Sequence, residues 1–309
     1  MTAAPLVSIA IISFNNENYI GECIESCLSQ TYKNTEIIIA DDASTDNSLN
    51  IINEYALLHP SKIKVISSKI NCGVSSNFNK AAIASKGEWI KYIASDDLLI
   101  NDCIENYIRE ISRLNLKSGI LFSKMRTFGL NSKKDIASKM PDIFKINADE
   151  RLKSILIDNT LPSPTAFFNK NTLFELELSN EEYAFIEDYP LWLKAILNGV
   201  SLKYLDIYSV RYRYHESLSN SLDKIGNIKF YKSLLKFSRN EIWNRRVGIA
   251  KLKNIDDFIS LQSTIILIKI FSNKKTILYN MISLFLRFLK PYSISRKLLG
   301  IVYRPDNQR

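Results

Sequence analysis

Glycine is scarce, with nine in 309 residues. No G-x-G-x-x-G follows the first apolar run, and no G-x-x-x-x-G-K-[ST] occurs. Such a chain does not cradle phosphate in a glycine loop, which argues against a Rossmann dehydrogenase and a P-loop kinase. A bound nucleotide would have to be held by carboxylates and a metal. Cysteine is also sparse. Cys23, Cys27, Cys72 and Cys103 form no C-x-x-C pair, so zinc-ligand spacing is missing and buried free thiols in a reducing compartment are expected. The start, Met1-Thr-Ala-Ala-Pro-Leu6, lacks a basic stretch followed by an apolar one, so no signal peptide is expected. No uninterrupted apolar run reaches the ~18 residues of a spanning helix. No Ser–His or Cys–His pairing for a covalent nucleophile stands out.

Hydrophobic residues make up 46% of the chain, enough for a sizeable core. The net charge of +9 is unevenly placed. Residues 251–309 carry 11 Lys and Arg against 3 Asp and Glu, whereas residues 1–250 carry 30 against 29. A neutral body with a basic tail asks for an anionic partner, membrane or nucleic acid.

Apolar runs and amphipathic stretches alternate along the first hundred residues. Leu6–Ser13, Glu36–Ala40, Lys62–Ser67 and the run from Trp89 read as strands. Tyr19–Gln30, Asn47–Leu58 and Ser76–Ser85 read as helices between them. This is the pattern of a parallel, doubly wound α/β unit. Further on, Asn101–Leu114, Glu150–Asn159 and the segment from Glu187 to Gly199 read as helices. Gly119–Ser123, Pro162–Phe168, Ser201–Tyr208 and Ser209–Tyr214 read as strands, with a polar loop over 133–149.

Carboxylates cluster where the strands end. Asp41, Asp42 and Asp46 follow the second strand, and Ser95-Asp96-Asp97 follows Trp89-Ile-Lys-Tyr-Ile-Ala94. Ligands bind at the C-terminal ends of strands in open α/β sheets. Two adjacent carboxylates after an apolar strand are costly unless something cationic sits there. The structural alternative is ordinary capping, with Ser44 or Asp46 heading the second helix and Asp96 heading a helix from about Leu98. Asp188, beside Glu187, is by the same logic a helix cap.

Taken in order, these pieces resemble family 2 glycosyltransferases. The resemblance rests on Val7–Asn16 with Tyr19-Ile20, Ser26–Tyr32, Ile39–Asp46, Asn71-Cys-Gly73 with Asn77, Ser95–Asp97, Glu187-Asp188 and Tyr212-Arg-Tyr-His215. It covers residues 6 to about 220. It implies a GT-A fold, in which a nucleotide-binding α/β half is fused to an acceptor-binding half. It also implies inverting transfer of a sugar from a nucleotide diphosphate, usually UDP, with Mg²⁺ or Mn²⁺. Carried over, Phe14 and Glu17 flank the nucleotide, Asp41 receives the base, and Asp96 lies at the ribose and diphosphate. Asp97 is the metal ligand and Asp188 the general base. Ala94 departs from the pattern, since many members carry Asp there, and the metal site then leans on Asp97 and His215.

The resulting expectation is an α/β catalytic domain over 1–222, built on a GT-A-like, mostly parallel sheet. A helical, basic region over 223–309 follows it. In that tail Phe258–Phe271 and Ile277–Leu289 are apolar helical segments flanked by Lys269, Lys274, Lys275, Arg296 and Lys297. Packing on protein is one reading and lying on an anionic cytoplasmic leaflet is the other. Nucleic acid is disfavoured because the aromatics sit within apolar helices. The expected function is glycosyl transfer from a nucleotide sugar to a glycan, carried on a polyprenyl diphosphate, in O-antigen or capsule assembly. The rivals are a sugar-phosphate nucleotidyltransferase and a non-catalytic nucleotide-sugar-binding scaffold.

Overall fold

The computed structural model describes residues 4–129, 136–214 and 223–298. Its first part alternates as the apolar runs predict: β1 (Val7–Ser13), α1 (Ile20–Leu28), β2 (Thr35–Asp41), α2 (Ser48–Leu58), β3 (Ile63–Ser67), α3 (Val74–Ala84) and β4 (Trp89–Ala94). Then come β5 (Leu98–Leu99), α4 (Cys103–Leu114), β6 (Ile120–Phe128), β7 (Ile136–Ala137), α5 (Ala148–Ile157), β8 (Phe167–Asn169), α6 (Lys170–Glu175), α7 (Asp188–Leu197) and β9 (Leu202–Arg213). The C-terminal helices are α8 (Ile228–Phe237), α9 (Leu252–Ile270), α10 (Ile277–Arg287) and α11 (Pro291–Leu298).

The strands form one sheet in the order β3-β2-β1-β4-β8-β6-β9-β5, with β7 beside β6. The β3-β2-β1-β4 half is parallel, as the alternation requires. The other half is mixed. β8 runs antiparallel to both β4 and β6, β5 runs antiparallel to β9, and only β6 and β9 are parallel. The sheet is therefore mixed, with its longer ladders parallel and with flanking helices, as in a GT-A-like fold. The reason is local. β8 is three residues long and enters from a 3₁₀ turn at Ser163–Thr165, so no crossover helix aligns it with β4. The helix expected near Leu98 is instead β5, which pairs Leu98 with Arg211, and α4 begins at Cys103.

Strands buried on both faces explain the unbroken apolar runs. On one face Val7, Ile9, Ile11, Ile37, Ile39 and Trp89 pack on Ile20, Ile24, Ile104 and Tyr107. Trp89, Phe167 and Tyr107 stack in sequence, with centroids 5.5 and 4.6 Å apart. On the other face Phe78, Tyr92, Phe168 and Trp192 form a second aromatic run, which seats α7. All four cysteines are free thiols. Cys23, Cys27 and Cys103 are buried as expected, but Cys72 is exposed.

The chain divides into two compact units, Met1–Ala148 with Leu161–Tyr214, and Asp149–Thr160 with His215–Arg309. In the second, buried Arg246 donates to the Leu156 carbonyl (2.7 Å), to Asn254 (2.9 Å) and to Asp257 (2.7 Å). Buried Asp256 accepts the first amides of α11, from Tyr292 and Ser293, both at 3.0 Å. Among the described residues no helix is long and apolar enough to cross a membrane.

Candidate active site

The parallel register brings three strand ends to one edge. Ser13 pairs with Asp41, and Ile12 pairs with Ala94, so the loops after β1, β2 and β4 open side by side. Phe14 and Glu17 sit on the first loop, Asp41, Asp42 and Asp46 on the second, and Asp96 and Asp97 on the third.

The first two loops are laced together. Asn15, at φ 51°, accepts the Thr45 amide at 2.8 Å, and its own amide donates to Ser44 Oγ at 2.9 Å. Glu17 is exposed. Its carboxylate accepts the Asn47 amide at 2.8 Å, while its amide donates to Asp46 at 3.0 Å. Burial works to raise the Asp46 carboxyl, but hydrogen bonds from Ser48 and Glu17 outweigh it and hold it below the ordinary range. Asp41 is fully buried. One oxygen takes the Ser44 amide (2.9 Å) and the other its hydroxyl (2.5 Å). Asp42 takes the amides of Cys72 (3.1 Å) and Gly73 (2.8 Å). Gly73 has φ +91°, and a Cβ there would strike the Ala184 carbonyl. Phe14 is half-buried at the head of this network.

The third loop is different. Ser95 is buried and held by Asn16 (2.7 Å), and Asp97 closes the turn with its amide on the Ala94 carbonyl (3.1 Å). The buried Asp97 carboxylate accepts the Arg213 amide at 2.8 Å. Arg213 also donates through Nε to the Asp96 carbonyl (2.8 Å) and through Nη2 to Glu22 (2.6 Å), and it lies against the rings of Tyr19 and Phe128. Burial pushes the Asp97 carboxyl well above the ordinary range. The Asp96 charge adds to this, and the Arg213 amide, Lys91 and the Arg213 charge oppose it.

Lys91 is a site-supporting residue to which sequence reasoning assigned no role. It is fully buried, and its ammonium donates to the carbonyls of Tyr92 (2.8 Å), Pro164 (2.6 Å) and Ala166 (3.4 Å). Burial lowers its pKa to about 8, against the pull of Cys103, Asp97 and Cys27. The signal was present: a lysine inside Trp89-Ile-Lys-Tyr-Ile-Ala94 is the one charge in an apolar strand.

Asp188 opens α7, and its Oδ1 accepts the Tyr189 amide at 2.6 Å. The segment before it is tied to α3. Asp42 holds Gly73, Ser75 Oγ donates to the Tyr183 carbonyl (2.9 Å), and Asn79 clasps Ser179 in both directions at 2.9 Å. Ser179 in turn donates to the Glu187 carbonyl at 3.0 Å. Burial and then the Asp188 charge push the Glu187 carboxyl up to about 8. His215 lies outside the described residues.

Among the described residues no three His, Cys, Asp or Glu side chains come together as a metal cluster. The Asp96–Asp97 pair nevertheless fits a hard divalent ion. Mg²⁺ binds through one or two carboxylates plus substrate phosphates, and a carboxyl raised by burial and then by its neighbour gains from a cation beside it.

A mixed α/β sheet whose carboxylates gather on the edge after β1, β2 and β4 defines a nucleotide-handling fold of the GT-A type. The model of Glycosyl transferase family 2 matches residues 8–175, more than half the chain, and the chain belongs to that family. It is therefore a glycosyltransferase. It is 28% identical to an uncharacterized glycosyltransferase of Haemophilus influenzae, over 91% of this chain and 87% of that one. It is 29% identical to WfaP of Escherichia coli, a UDP-Glc:alpha-D-GlcNAc-diphosphoundecaprenol beta-1,3-glucosyltransferase, over 68% of this chain and 78% of that one. It is also 31% identical to E. coli chondroitin synthase, over 74% of this chain but only 34% of that one. Among solved structures, TarS 1-349 of S. aureus in complex with UDP-GlcNAc shares the fold at a TM-score of 0.59 and 20% identity, over 82% of this chain and 73% of that one.

Proposed function

We propose that the chain transfers a sugar, with inversion, from a UDP-sugar to a hydroxyl of a glycan carried on a polyprenyl diphosphate. The product belongs to a surface polysaccharide, O-antigen or capsule. One observation carries the reading: a buried Asp97 beside Asp96, on the edge where Asp41 also ends its strand. The names of WfaP and of the TarS complex support the donor class, and WfaP the acceptor class. Residues 1–222 form the catalytic half, on the cytoplasmic side of a membrane that residues 223–309 touch.

In this reading Phe14 and Glu17 border the nucleotide, Asp41 faces the base and Asp96 the ribose and diphosphate. Asp97, with His215, would hold Mg²⁺ or Mn²⁺, and the ion would supply positive charge to the leaving diphosphate. Asp188 takes the proton from the acceptor hydroxyl as its oxygen bonds to C1 and the C1–phosphate oxygen bond breaks, releasing UDP. Glu187, raised to about 8, keeps its proton at neutral pH, which limits negative charge beside the base. Arg213 and Lys91 hold the third loop and the Ser163–Thr165 turn in place.

The test is a panel of UDP-sugars with Mn²⁺ and a polyprenyl-diphosphate glycan. One UDP released per sugar transferred is expected. Release of inorganic diphosphate would point to a nucleotidyltransferase. Nucleotide-sugar binding with no turnover would leave a scaffold.

A further inference from the structure

We propose that α10 lies flat in the headgroup region of an anionic bilayer, with Ile277, Met281, Phe285 and the adjoining Phe288 inserted. The proposal deepens the membrane-associated reading above and names the element and the lipid chemistry. The inner side of α10 is accounted for, since Tyr279, Ile282 and Leu286 pack on Ile225, Leu267 and Ile268. That spacing of three and four uses one face of the helix. A second apolar stripe faces outward. Ile277 is 82% exposed, Met281 64%, Phe285 63% and Phe288 70%, with Leu278 and Leu284 beside them. Large side chains recurring every three to four residues make a contiguous patch, unlike the scattered apolar residues of an ordinary surface.

The charge decides what covers it. From Phe258 to Pro305 the chain carries eight Lys and Arg and no Asp or Glu. Lys274 and Lys275, at the head of α10, and Arg287, at its end, are exposed. A second copy would bring the same positive charge against this face. A surface of acidic lipid headgroups brings the opposite charge, together with an apolar layer for the stripe. With 11 residues, α10 is about 16 Å long, too short to span a bilayer and suited to lying in its plane.

The full chain is floated with vesicles of phosphatidylcholine alone and with phosphatidylglycerol added. Binding to the anionic vesicles, reduced at least tenfold on neutral vesicles or in high salt, is the expected result. Phe285→Ser with Phe288→Ser should cut anionic binding about tenfold while the melting curve stays in place. Lys274→Glu with Lys275→Glu should do the same, and neither pair should change transfer to a soluble acceptor. Undiminished binding by the phenylalanine pair, equal binding to both lipids, or a dimer that the phenylalanine pair dissociates would overturn the proposal. Vesicle binding without transfer would overturn the catalytic reading alone, and transfer without vesicle binding this one alone.

Discussion

The carboxylates after β2 and those after β4 share one edge of one sheet, yet their surroundings differ. After β2, Asp41 is taken up by Ser44, Asp42 by Cys72 and Gly73, and Asp46 by Ser48 and Glu17. Each meets amides of the chain itself, and for Asp46 those bonds hold the carboxyl low. After β4, Asp97 is buried next to another acid and is pushed up. The β2 loop is a scaffold held by the chain's own hydrogen bonds. The β4 loop stores unfavourable charge that a cation and a diphosphate would relieve. Perturbed acids of the second kind mark functional sites more often than capped ones do.

The largest effect on the chemistry should come from Asp188→Asn, which keeps the shape and removes the basicity. We expect kcat to fall by about 10²- to 10⁴-fold, with UDP-sugar affinity nearly unchanged. Steady-state kinetics on the natural acceptor checks this, and near-normal kcat would move the base elsewhere. On the scaffold side, Asp42→Ala strands two amides and Gly73→Ala forces a left-handed φ against the Ala184 carbonyl. Each should cost about 1–3 kcal/mol of stability in denaturant titration. Wild-type stability for both would mean that the β2 loop is not the scaffold described.

A smaller effect concerns pH. The Glu187 carboxyl lies at about 8 in the folded chain, against an ordinary 4.5. A raised pKa means that the fold favours the protonated form. Its contribution is whole below about pH 4.5 and is lost as pH rises through 8. The melting temperature should therefore decline across that window, and Glu187→Gln should flatten the decline. Parallel curves for the two proteins would remove Glu187 as its source.

Much of the β3-β2-β1-β4 half was legible because strands buried on both faces read as unbroken apolar runs and the helices between them as 3.6-residue patterns. The acids at the strand ends were legible for the same reason, since each interrupts such a run. The other half was not. β5 is two residues long and β8 three, too short for any periodicity, and their partners lie far away in sequence. The two stretches read separately as Ser201–Tyr208 and Ser209–Tyr214 are one twelve-residue strand, β9, which takes register shifts against β6 around Lys124. Capture of Asp41 by Ser44 and of Asp97 by the Arg213 amide depends on backbone geometry, which residue types alone do not display. Lys91 was visible as an odd charge, but two of its three carbonyl partners, Pro164 and Ala166, come from a distant segment that only the fold brings to it.

The contrast between the two rims is tested most directly by thermal melting of the wild type and Asp97→Asn, each with and without Mn²⁺ plus UDP. Asparagine keeps the acceptor for the Arg213 amide and removes the buried charge. The variant should melt no lower than the wild type when ligand-free, and it should lose most of the stabilisation that Mn²⁺ and UDP give the wild type. A variant that melts well below the wild type and still gains the same shift from Mn²⁺ and UDP would contradict the account, making Asp97 one more scaffold carboxylate like Asp42.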